Sequence, residues 1–104
     1  MSLSSNTFNQ YLLTYDLHKP GRDYSSLYRL MAGWDAIRLT ESLWMANLLG
    51  PATAIRDIMQ THVDANDTVA VIQLQHGTDW ATLLVKPTAV TWLSTYVTPA
   101  QIAA

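Results

Sequence analysis

An α+β fold is what this sequence predicts, and two observations predict it. Apolar residues recur with a period of two in some segments and of about 3.6 in others. These segments follow one another as strand, helix, strand, strand, helix, strand. The chain has 104 residues, enough for one domain with a real core. Hydrophobic residues make up 49% of it and charged residues only 13%. A small domain has too much surface to hide that much apolar area alone, so self-association is expected.

Residues 11–17, YLLTYDL, alternate Tyr11, Leu13 and Tyr15 with Leu12, Thr14 and Asp16, which predicts the first strand. Asp23 is placed to cap a helix whose stripe is Tyr24, Leu27, Tyr28 and Met31, the i, i+3, i+4, i+7 spacing of a core-facing helix. Gly33 is the expected end of that helix. From Trp34 to Leu48 the chain reads as two short strands or one kinked ribbon, bending near Thr40 or Glu41 without a Gly or Pro to mark the turn. Gly50 and Pro51 introduce a second helix with Ala52, Ile55, Met59 and His62 on one face, ending near Val63. After the polar loop DAND comes a strand, TVAVIQLQ, with apolar residues on both faces: Val69 and Val71 on one, Ala70, Ile72 and Leu74 on the other. Protein is expected on both sides of it.

That order is the split βαβ arrangement of a ferredoxin-like βαββαβ sandwich. Two helices cover one sheet face, and the other face, still apolar, needs a cover. A second sheet is the natural one, which predicts a two-fold dimer through the open sheet face. Residues 79–86, DWATLLVK, read as a short C-terminal strand, and Trp92 and Tyr96 lie four apart in the last apolar run. Edge pairing across the dimer is one use for that segment. Residues 1–9 read as a flexible leader, 10–97 as the single domain and 98–104 as a flexible tail. The first ten residues lack the basic start and apolar centre of a signal peptide, and no apolar run approaches the ~20 residues of a membrane span. With no cysteine, disulfides, thiolate zinc sites and thiol nucleophiles are excluded. A cytoplasmic location fits.

The chemistry centres on Asp16, a carboxylate at the carboxyl end of the first strand, followed by the loop HKPGRD. A hard cation such as Mg²⁺ keeps several waters and takes few protein oxygens, so one Asp16 from each of two subunits would hold a single ion. The alternative is that Asp16 caps the loop or pairs with Arg22. Lys19, Arg22, Arg29 and Arg38 all precede residue 40 and could flank the strand end, but Asp23, Asp35 and Glu41 interleave with them. The net charge of −2 gives no global phosphate-binding footprint, so nucleic-acid binding would need a local patch. Trp34, Trp44, Trp80 and Trp92 are read chiefly as core and interface fillers rather than base-stacking platforms. His18, His62 and His76 have no metal-ligand spacing, and His18, two residues past Asp16, is the one suited to acid–base work. No P-loop, G-x-G-x-x-G or G-x-S-x-G is present.

Taken together, YLLTYDL, the arginine and tyrosine after it, the helix, then RLTESLW and a polar loop before TVAVIQL resemble the SinR-like branch of the second CRISPR-associated protein family, related to the virulence-associated protein D toxins. The resemblance covers roughly residues 10 to 75. It implies a ferredoxin-like homodimer in which the acids ending the two first strands approach each other. In some members that pair supports cleavage of RNA or DNA with Mg²⁺ or Mn²⁺, and in others the dimer is a scaffold. On this reading Asp16 matches the family acid and is both catalytic and the metal ligand. Ser42 and Trp44 match the serine and aromatic of the second motif, and Arg22 matches the basic residue after the first strand. The functions to weigh are a metal-dependent endonuclease built on Asp16, His18, Arg22 and Ser42, a non-catalytic dimeric scaffold or toxin-related interaction module, and a small-molecule regulatory domain.

Overall fold

The alternation in YLLTYDL becomes strand β1 (Asn9–Asp16), with Tyr11, Leu13 and Tyr15 buried on one side. The structure is a computed structural model and describes residues 8–18 and 23–99. Along it follow α1 (Ser25–Gly33), β2 (Ile37–Thr40), β3 (Leu43–Leu48), α2 (Ala52–Gln60), β4 (Thr68–Leu74) and α3 (Pro87–Tyr96). Most of the expected leader and tail lies outside the described residues, although Asn9 already belongs to β1.

The four strands form one antiparallel sheet in the order β2-β3-β1-β4. Because β1 and β2 each run antiparallel to β3, they are parallel to each other with β3 between them, and α1 makes that crossover. By the same logic β3 and β4 are parallel with β1 between them, and α2 connects them. Register then decides which side chains share a face: Leu13 stands opposite both Trp44 and Val71. The first core forms on that face. Tyr11, Leu13, Tyr15, Ala46 and Leu48 from the sheet meet Leu27 and Met31 of α1 and Ile55 and Met59 of α2. Trp34 and Trp44 pack against its edge.

Local devices shape the connections. Asp23 Oδ1 accepts the Ser25 N–H at 2.8 Å and opens α1. Gly33 is the last residue of α1, but the left-handed position falls two residues later, on Asp35 (φ 54°). There the Asp35 N–H bonds Ala32 O and the Ala36 N–H bonds Met31 O, each at 3.0 Å, closing the carbonyl end of the helix. The β2–β3 turn at Glu41 and Ser42 lacks glycine. Arg38 closes it by donating Nε and Nη2 to the Glu41 carbonyl at 2.9 and 2.6 Å. Before α2, a Cβ on Gly50 would run into the Tyr11 hydroxyl, so only glycine fits beside this buried ring.

The expected short C-terminal strand is corrected to a loop followed by a helix. Residues 79–86 form no strand, and α3 occupies 87–96. Pro87 suits a first helical turn, where its missing N–H removes no hydrogen bond. Ala89, Trp92, Leu93 and Val97 fall on one helical face, and the Trp92 and Tyr96 rings meet one turn apart at 5.3 Å, tilted by 53°. That face packs on the sheet side opposite α1 and α2, forming a second core around Met45 with Leu12, Ile37, Leu39 and Leu74 at its margin. The chain thus supplies part of the cover for the face expected to be open. Bonds from Trp80 Nε1 to Thr98 O and from Thr98 Oγ1 to Thr78 O, both 2.9 Å, tie the helix end back to its loop. Cover from this chain stops short of the β4 edge, where Ile72 is 54% exposed. Among the described residues no helix is long and apolar enough to cross a membrane.

Candidate functional site

The alternation of β1 that buries Tyr15 turns its neighbour Asp16 to the opposite side, at the strand's carboxyl end. The β2–β3 turn closes against this end, with the Tyr15 N–H bonded to the Ser42 carbonyl at 3.2 Å. A cleft of about 310 Å³ results, lined by Tyr15, Asp16, Leu17, Tyr28, Arg38, Glu41 and Ser42. A larger hollow of about 550 Å³ lies between the 77–82 loop and the end of α3, but its only ionisable lining residue is Asp79. Chemistry favours the smaller cleft, whose lining joins Arg38, Asp16, Glu41 and Ser42 with two tyrosines.

Of the residues singled out in the sequence, Asp16 and Ser42 line this cleft together. His18 stands beside them, its Nε2 3.5 Å from Asp16 Oδ2. Both side chains face solvent, at 73% exposure for Asp16 and 45% for His18. Arg22 lies outside the described residues. Trp44 is behind the cleft, against the first core.

Arg38, one of the basic residues expected to flank the strand end, reaches the cleft, and Tyr15 and Tyr28, read only as a strand and a helix residue, line it too. The Arg38 guanidinium lies 5.4 Å from the Tyr28 ring centroid and 4.9 Å from that of Trp44. Arg38 and Trp44 are direct partners in the β2–β3 register, so a hairpin pairing would have signalled their contact. Nothing in the sequence places Tyr28, because its approach depends on how α1 lies across the sheet. Tyr15 accepts the Trp44 indole N–H at 3.0 Å and donates to Glu41 O at 3.4 Å. Burial, with a smaller push from Tyr28, holds its phenol above the usual tyrosine range, although the Trp44 hydrogen bond and Arg38 work the other way.

Asp67 fixes the approach to the site from below. Its Oδ1 accepts the His18 N–H at 2.7 Å, while Oδ2 accepts the Asp64 N–H at 2.7 Å and the Tyr24 hydroxyl at 2.9 Å. Desolvation acts to raise its pKa, but the hydrogen bonds from His18, Asp64 and Tyr24 together bring it below the ordinary aspartate value. One carboxylate therefore joins the end of β1, the start of α1 and the α2–β4 loop.

Among the described residues no three His, Cys, Asp or Glu groups gather in a metal-binding cluster. A closed, all-protein centre is thus not built by one chain's described residues. Chemically, the cleft joins a cation, neutral hydroxyl donors and a solvent-facing carboxylate beside an imidazole. Comparison with known protein families, with curated proteins and with solved structures finds no match for this chain.

Proposed function

We propose that this chain is a ferredoxin-like, SinR-like homodimer of the cytoplasm that binds RNA or DNA at the end of β1 and cuts it as a metal-dependent endonuclease. The observation that carries this reading is the meeting of Asp16 and Ser42 in one cleft, from segments far apart in the chain. The strand order β2-β3-β1-β4, with each crossover spanning one intervening strand, supports the ferredoxin-like assignment. A second copy would meet the sheet face beside α3, where Asp16, Ala70 and Ile72 share one side and Ile72 is exposed. Two Asp16 carboxylates, one from each copy, would hold Mg²⁺ or Mn²⁺. When bound, such an ion supplies a more acidic water and offsets phosphate charge. Ser42 would donate its hydroxyl to a phosphate oxygen, and His18, within reach of Asp16, would serve as the acid–base group.

A second reading, a non-catalytic dimeric scaffold or interaction module, is favoured by α3. This helix covers part of the face that would bring two Asp16 residues together. The two readings separate in one assay: labelled single-stranded RNA and double-stranded DNA, at low salt, with Mg²⁺, Mn²⁺ or EDTA, using wild type and Asp16→Ala. Metal-dependent cutting lost in the variant upholds the endonuclease. No cutting by folded wild-type protein under any of these conditions rejects it and leaves the scaffold.

A further inference from the structure

Arg38 is a half-buried cation that forms no ion pair among the described residues. Its guanidinium lies against the Tyr28 and Trp44 rings and donates twice to the Glu41 carbonyl. The ion pairs among the described residues are His18–Asp16 and Arg56–Asp57, neither of which involves Arg38. The undescribed residues contain no Asp or Glu side chain to supply a partner. A carbonyl dipole and two π-faces stabilise the guanidinium without neutralising it. A guanidinium held in this way keeps its charge available to an anion.

We propose that Arg38 is the phosphate-recognition residue of the cleft, a role that rests on the reading of the cleft as a phosphodiester site. A guanidinium has five N–H donors, and the Glu41 carbonyl occupies two of them. The remaining edge belongs to a side chain lining the same cleft as Ser42 and the Tyr15 hydroxyl. Stacking and the turn bonds hold the planar fork in place before any ligand arrives, so little side-chain entropy is lost on binding. A phosphodiester suits this arrangement because it carries one charge spread over two non-bridging oxygens. One oxygen can meet the Arg38 fork while the other turns toward Ser42. Asp16 and Glu41 on the same lining disfavour ligands carrying more negative charge. This also explains how an acidic chain can bind a phosphate: one placed guanidinium replaces a broad basic surface.

The test is binding of a fluorescent single-stranded oligothymidylate in EDTA at low salt, beside the same oligomer with uncharged methylphosphonate linkages. Wild type should bind the charged oligomer about tenfold more tightly than the neutral one. Arg38→Gln should lose that preference, and Arg38→Lys, which keeps the charge but not the fork, should retain only part of it. In ¹⁵N spectra the Arg38 Nε–H and Trp44 indole signals should shift with the charged oligomer and not with the neutral one. If Arg38→Gln, or Arg38→Lys should the first variant not fold, binds the charged oligomer as tightly as wild type, Arg38 only closes the turn and the inference fails. Binding that depends on Arg38 without any metal-dependent cutting would sustain the inference and sink the endonuclease. Cutting with binding indifferent to Arg38 would do the reverse. A wild type that binds neither oligomer would overturn the inference, while the endonuclease stands or falls by the cutting assay.

Discussion

The indole N–H of Trp44 donates to the hydroxyl of Tyr15 at 3.0 Å, linking β3 to the last inward-facing residue of β1. Through this bond the floor of the cleft is fastened to the first core. Trp44 supports Arg38 with its ring while its nitrogen orients Tyr15.

Tyr15 should titrate above the ordinary tyrosine range. Burial raises its pKa, so a phenolate absorbance titration should contain a late phase, above the ordinary value of about 10, that is absent from Tyr15→Phe. The sign follows from linkage: with the folded pKa above the unfolded one, the stability contributed is fully present below about pH 10 and lost as pH rises through the folded value. Trp44→Phe removes a hydrogen bond that favours the phenolate and should move the late tyrosine later still. A late phase that shifts earlier in Trp44→Phe would contradict this account.

Asp67→Asn should flatten the acid limb of the stability curve. The folded pKa of Asp67 lies below its unfolded value, so its contribution is present above about pH 4 and is lost as pH falls through the depressed folded value. Thermal melts of wild type between about pH 2 and pH 6 should drop steeply, and the variant should start lower and drop less. Parallel curves for the two proteins would mean that Asp67 does not draw this stabilisation from its charge.

Gly50→Ala should destabilise the fold by about 1–3 kcal/mol, the range for forcing a carbon into filled space. The obstacle is one atom, the Tyr11 hydroxyl oxygen. Tyr11→Phe should therefore recover much of the loss in the double variant, a coupling that urea unfolding of all four proteins would measure. Additive effects would show that the glycine serves some other need.

Trp92→Ala should cost about 3–5 kcal/mol, because the indole is buried in the second core with Met45 and Leu93. If α3 were only loosely laid on the sheet, the change would be within about 0.5 kcal/mol. Denaturant midpoints at constant slope decide between the two.

What the sequence determined was local. Periods of two and of 3.6 depend only on neighbours along the chain, and they marked β1, α1, α2 and β4 and the α+β class. Asp16 stood out as a carboxylate closing an apolar strand, whereas Ser42 was singled out only through the resemblance to the SinR-like family. Tertiary structure decided the rest. The last apolar run could pair as an edge strand or roll up as α3, and the uncovered side of the sheet, with Met45 and Leu12 waiting for a partner, selected the helix. The left-handed residue after α1 is Asp35 rather than Gly33, because closing the helix end on Met31 and Ala32 outweighs the preference of one residue. Arg38 looked like one more charge on a mixed surface. Only strand register and the lie of α1 brought Trp44 and Tyr28 to its two sides, since contacts between distant segments leave no period in the sequence.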